Sequence, residues 1–274
     1  MSEILCSTGA IIGRRNGRNF HLLPELAAQI NCDGFELMMY MDWYEKTEEL
    51  VHMLKEEKLY IPVMHCEKFI GEKIGNGDFE LAFKQFEVNC QIAQQIGASK
   101  MVLHLWNGMI SDNHFENNIK AYPNLEEIAT RYAIDLLIEN VVCNREDPMS
   151  HWCELRRIYP KIHFIYDTKM AQFHDQESLL YEKEYEWLWK EDHIHHYHVN
   201  DYAGGYMDWS NLNVLPVGTG GINFQRFFQF IDKIGYRETF TLEAPGMRED
   251  GSVDIAMLNK QIADVRQLLT KYVK

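Results

Sequence analysis

HIHHYHVNDY, residues His193 to Tyr202, sets four histidines within six positions and closes on Asn200-Asp201. A disordered histidine tract, a solvated helix face and a buried strand ending in a metal site each account for such a run. Side chains alternate across a strand. As a strand, the segment puts Ile194, His196, His198 and Asn200 on one face and His195, Tyr197 and Val199 on the other. His198 then stands at the strand's end, with His196 one layer deeper as a hydrogen-bonded core group. His193 and His195 are left to local polar partners.

The rest of the chain repeats this design. Short β-rich runs recur at Glu3–Ala10, Gly34–Tyr40, Tyr60–Glu67, Lys100–Trp106, Asp135–Val141, His163–Thr168, His193–Asn200 and Glu238–Ala244. Between them apolar residues step by three and four, the helical period. Phe79, Ala82, Phe83, Phe86, Cys90 and Ala93 mark one face; Phe224, Phe227, Phe228, Ile231 and Ile234 mark another; Ile255, Leu258, Ile262, Val265 and Leu269 mark the last. Asp147-Pro148 reads as an N-cap followed by proline at the first helical position, and Gly97 and Gly235 sit where helices end. Eight βα units in about 250 residues fit an α/β fold of the (β/α)8 barrel type, a TIM barrel. A doubly wound sheet competes, but CSTGAIIGRRNGRN after the first strand matches G-x-G-x-x-G poorly. With no linker or internal repeat, residues 1–274 read as a single domain.

Composition narrows the partners. The 274 residues carry 27 Lys and Arg against 41 Asp and Glu, a formal charge of −14. That balance opposes nucleic-acid binding, which draws on cations to neutralise phosphates. No apolar run approaches the length of a membrane span, and MSEILCSTGA lacks the basic start of a signal peptide. The six cysteines form no C-x-x-C pair, so reduced thiols and a cytoplasmic location are expected. Assembly into a homo-oligomer stays open.

Chemistry in a barrel belongs at the C-terminal strand ends. Strand three ends in His65 and Glu67, strand four in His104, strand five in Glu139, strand six in Asp167, strand seven in His198 and Asp201, strand eight in Glu243. Any one of these has a bland reading as a helix cap or loop start. Several carboxylates on one rim repel one another, and a divalent cation is the simplest remedy. Glu139, Asp167, His198 and Glu243 supply three carboxylates and one imidazole, a hard donor set suited to one Mn²⁺, Mg²⁺, Co²⁺ or Zn²⁺ ion.

Together LLIENV, HFIYDT, HHYHVND, PVGTGG with INF after it, and TLEAP resemble the xylose isomerase-like TIM-barrel superfamily, which holds sugar isomerases and epimerases and the endonuclease IV type of AP endonuclease. The resemblance runs through the whole chain in strand order. It implies that Glu139, Asp167, His198 and Glu243 are the shared metal ligands. It also implies that His65 and His104 are either extra zinc ligands, as in the endonuclease branch, or substrate-facing groups. Glu36, in DGFEL, matches a strand-two glutamate that lines the pocket. The chain departs from the endonuclease pattern in two places. Asp167-Thr168-Lys169-Met170 replaces Asp-x-x-His, with His174 one helical turn on as a substitute ligand to be tested, and Val214-Leu215 precedes the Pro216 loop where a histidine is expected.

Other residues carry double readings. Trp106, with Trp209 and Phe69, forms an apolar wall for a sugar ring or packs loops. Lys169 stabilises an oxyanion or lies on the surface. Asp201 orients an imidazole, contacts substrate or starts a loop. Val217–Gly221 holds a phosphate on its N–H groups or makes a permissive turn, the latter favoured because no P-loop lysine accompanies it. The leading expectation is a metal-dependent isomerase or epimerase of a small sugar-like compound, with Glu139 and Glu243 moving protons and His65 and His104 holding hydroxyls. A lyase or dehydratase, an endonuclease-like phosphodiesterase and a non-catalytic sugar- or metal-binding barrel are the alternatives.

Overall fold

A computed structural model describes residues 2–107 and 112–273. Its strands are β1 Glu3–Ser7, β2 Gly34–Met38, β3 Val63–His65, β4 Lys100–Leu103, β5 Asp135–Glu139, β6 His163–Asp167, β7 Ile194–Val199 and β8 Thr239–Leu242. All lie within the runs read from the sequence, and all stop short of the expected C-terminal ends. The strands close into a parallel barrel in chain order, and helices fill the connections. The chain divides into two compact units, residues 1–36 with 166–274, and residues 37–165. The divisions fall inside β2 and β6, so each unit carries its own part of the sheet.

In the first unit β1 pairs with β2 and β8, and β7 with β8. Tyr197 leaves β7 on the face opposite His198 and packs edge-on against Phe227 and Tyr236 and flat against Phe240. This is the helix-side interface that alternation requires. Phe227, Phe228 and Ile231 of the helix Phe224–Ile234 are buried there. In the second unit β3 pairs with β4, β4 with β5 and β5 with β6. Leu137 and Ile138 are fully buried, and Trp152 of the helix Pro148–Ile158 stacks on Phe164 at 4.4 Å.

The punctuation read from the sequence is in place. Gly97 and Gly235 end their helices at φ 83° and 74°, conformations open to glycine without a Cβ clash. Asp147 caps the helix Pro148–Ile158, its Oδ1 accepting from Ser150 N at 2.8 Å. Asp147→Ala is expected to lower stability by about 1 kcal/mol, read from urea unfolding at neutral pH. Among the described residues no helix is long and apolar enough to cross a membrane.

Candidate metal centre and acid–base site

The first unit builds its polar cluster around β7. His198 is fully buried and its Nε2 lies 3.0 and 3.1 Å from the two carboxylate oxygens of Glu36 on β2. Burial opposes charge on Glu36, yet the neighbouring His198 and His196 imidazoles hold its carboxyl well below the usual carboxylate range. The ionised carboxylate accepts, so Nε2 of His198 carries a proton, and in the neutral ring Nδ1 presents its lone pair. That Nδ1 faces Asp167 Oδ2 at 3.6 Å and Glu243 Oε1 at 3.7 Å. A lone pair set against two anionic oxygens is repulsive unless something positive lies among them. Donors bound at about 2.1 Å to one ion stand about 3 to 3.5 Å apart, so these spacings are a few tenths of an ångström wider than a loaded site. A carboxylate behind a metal-binding imidazole is the usual device for fixing tautomer and ring orientation.

His196, one layer deeper, is held as a core group. Its Nδ1 lies 2.7 Å from Thr239 Oγ1, and its Nε2 lies 2.9 Å from Thr241 Oγ1 and 3.1 Å from Glu36 Oε2. Thr241 donates to Glu36 at 2.6 Å. Glu36 therefore belongs to the floor beneath His198 and not to a substrate-facing wall, which corrects the pocket-lining expectation for it.

Asn200 is the residue that sequence reasoning left without a role. Its Nδ2 donates to Asp167 Oδ2 at 3.0 Å and to Glu243 Oε2 at 2.8 Å, while its Oδ1 accepts from Lys169 N at 3.1 Å. One amide thus spaces two carboxylates. The alternation that puts Asn200 on the His198 face was the available signal. Asp167 also caps the short helix Thr168–Phe173, accepting from Met170 N at 2.8 Å. Its two carboxylate oxygens are thus each held by one donor.

In the second unit, Glu139 at the end of β5 meets both expected histidines. Its Oε2 lies 2.7 Å from His104 Nε2 and 3.3 Å from His65 Nε2, and all three side chains are buried. Burial pushes the His104 imidazole below its ordinary value, against the pull of the Glu139 carboxylate beside it. His65 Nδ1 lies 2.7 Å from the Cys66 carbonyl, an acceptor only, which places a proton on Nδ1. In the neutral ring Nε2 then offers a lone pair toward Glu139, a pair of acceptors that a hydroxyl or a cation can bridge. His65, His104 and Glu139 form one metal-capable group by spacing.

Several expectations need correction. Asp201 is fully buried, and its carboxylate accepts from Tyr202 N (2.9 Å), Ile222 N (3.1 Å), Gly218 N (2.9 Å) and Gly220 N (2.8 Å). Of its three readings the contacts select loop anchoring, not substrate contact. They also occupy the Gly218 and Gly220 N–H groups of the Val217–Gly221 loop, while Thr219 N and Gly221 N donate to Pro216 O and Tyr202 O, which favours the turn reading over a phosphate cradle. A Cβ on Gly220 lies 2.4 Å from Asp201 Oδ1 and 2.5 Å from Tyr202 O, so only glycine fits. Asp201→Ala strands these donors and is expected to lower stability by about 3 kcal/mol, read as a shift of the urea midpoint.

Trp106 is completely buried. Its Nε1 donates to Val141 O at 2.8 Å and its ring meets Phe115 and His151 edge-on. It is core, and the sugar-stacking reading fails for it. Trp209 packs edge-on against Phe173, and Phe69 is exposed. Lys169 is buried and not a surface lysine. His174 is also buried, and among the described residues it joins none of the metal-capable groups.

Comparison with known proteins follows the geometry. The model of the family described as xylose isomerase-like TIM barrel matches residues 24–271. Comparison with curated protein sequences finds no match. Among solved structures, D-allulose 3-epimerase from Methylomonas sp. in complex with D-allulose is 15% identical at TM-score 0.69, covering 97% of this chain and 96% of that one. A D-tagatose 3-epimerase-like protein is 18% identical at TM-score 0.71, covering 98% of both chains. The IOLI protein with a binding zinc atom is 15% identical at TM-score 0.72, covering 99% of both.

Proposed function

The chain belongs to the xylose isomerase-like TIM-barrel family, and from that premise we propose that it is a divalent-metal-dependent isomerase or epimerase of a small polyhydroxylated keto compound. The observation that carries the reading is the buried His198 Nδ1, backed by Glu36 and facing the Asp167 and Glu243 carboxylates at 3.6 and 3.7 Å. Those donors fit a hard or borderline cation. Glu139 from β5 completes the set, so that Glu139, Asp167, His198 and Glu243 hold one ion. Zinc in a structural neighbour supports a metal of this class, with Mn²⁺, Mg²⁺ and Co²⁺ equally suited to the donors.

A bound ion supplies Lewis acidity to a carbonyl oxygen, which acidifies the neighbouring C–H. The protein does the proton work. One of the two glutamates takes the proton from carbon, and the other returns one to the opposite face in an epimerisation. His65 and His104 bind substrate hydroxyls. Asn200 keeps Asp167 and Glu243 apart, and buried Lys169 stabilises a developing oxyanion.

The partner is a sugar-sized molecule, as the neighbour solved with D-allulose suggests, and the acidic total of −14 disfavours nucleic acid. Six free cysteines accord with a reducing, cytoplasmic setting. The test is exposure of ketoses, inososes and keto acids to protein and Mn²⁺ in deuterated water. Deuterium at the carbon beside the carbonyl, without loss of water, is the expected result. Loss of a β-hydroxyl assigns a dehydratase of the same site, and no exchange in any compound class contradicts the proposal.

A further inference from the structure

A second group of buried ligating side chains shares no member with the proposed site. Asp112 opens the 3-10 turn Asp112–His114 that follows β4, Cys143 lies in the loop after β5, and His151 lies in the first turns of the helix Pro148–Ile158. All three are buried, and a carboxylate oxygen of Asp112, Cys143 Sγ and a ring nitrogen of His151 lie within 4.8 Å of one another. Asp112 Oδ2 accepts from Asn144 N at 2.9 Å, Arg145 N at 2.7 Å and Glu146 N at 3.4 Å. Its Oδ1 is buried and, among the described residues, takes no hydrogen bond. A carboxylate oxygen in that condition is an uncommon and costly arrangement.

We propose that Asp112, Cys143 and His151 form a structural zinc site. Thiolate, imidazole and carboxylate are the donors zinc takes, and the thiolate separates this site from one built for Mg²⁺ or Mn²⁺. On binding, the Cys143 thiol gives its proton to solvent and its sulfur to the ion. The ion then offsets one thiolate and one carboxylate, so the buried group becomes neutral overall. His151 is already oriented: its ring stacks on Phe115 with centroids 3.6 Å apart and meets Trp106 edge-on at 4.9 Å. Three donors spread over 4.8 Å need only a small closure to meet a common ion at about 2.0–2.3 Å. The ion would tie the segment after β4 to the loop after β5.

This inference is independent of the proposed reaction, because the donors named for that site include no sulfur. Chelator-stripped protein titrated with Co²⁺ is expected to bind two equivalents. One of them should bring a near-ultraviolet thiolate-to-cobalt charge-transfer band. Cys143→Ser and Asp112→Asn should lose the band and one equivalent while retaining the other, and Cys66→Ser should keep both. A wild-type protein that shows no such band overturns the proposal without recourse to any variant. So does a band that persists in Cys143→Ser. Loss of substrate exchange with the band intact speaks only against the proposed reaction.

Discussion

Glu243→Gln is expected to slow exchange of the substrate's carbon-bound proton with solvent by about 10²- to 10⁴-fold, the usual scale for removing a positioned general base. The change is nearly isosteric. The Glu243 side chain is 15% exposed, and Asn200 Nδ2 donates to its Oε2 at 2.8 Å, a bond that the amide oxygen of glutamine can still accept. Folding should therefore survive, and the loss should fall on turnover more than on KM, because the missing proton transfer belongs to the transition state. Metal affinity should fall too, since a neutral amide replaces a charged donor. Exchange is therefore to be measured at saturating metal. A Gln variant that exchanges at the wild-type rate removes Glu243 from the chemistry.

Glu36→Ala is expected to destabilise the protein by about 3–5 kcal/mol, the range for breaking a buried ion pair by deleting one partner. Glu36 Oε2 accepts from Thr241 and lies within hydrogen-bonding distance of His196 and His198, so deletion leaves several buried donors without an acceptor. Glu36→Gln keeps the shape and isolates the charge. With His198 no longer anchored by an anion, metal affinity should drop about 10- to 100-fold. The pH dependence follows from the depressed carboxyl. A carboxyl held below its unfolded value of about 4.3 stabilises the fold fully above that value. The contribution disappears as pH falls toward the lower, folded value. Wild-type stability should therefore fall on acidification below about pH 4, and the Gln variant should show a shallower fall. Urea midpoints across that range check both.

The fold was legible because a barrel repeats its signal. Eight β-rich runs, each followed by three-and-four periodicity, leave few arrangements, and alternation along His193–Asn200 correctly set Tyr197 against the helices and His196 beneath His198. The proposed ligands stand out in the sequence because they sit where strands end. What escaped was everything decided by depth. Trp106 and Trp209 look alike in sequence, but only Trp106 donates its Nε1 to the Val141 carbonyl in the core. Glu36 looked like a pocket residue until its register opposite Ser7 and its histidine contacts placed it under the site. Asp201 and Glu243 are both acids at strand ends, and only the curl of the Val217–Gly221 loop around Asp201 tells them apart. The Asp112–Cys143–His151 group left no trace in sequence, since its members come from three segments without a recurring spacing.

Crystals soaked in Mn²⁺ and read by anomalous diffraction address the central assignment most directly. The account predicts one strong peak about 2.0–2.2 Å from His198 Nδ1 and from carboxylate oxygens of Asp167, Glu243 and Glu139. An empty position beside His198, or a peak there that leaves Glu139 out of reach, contradicts it.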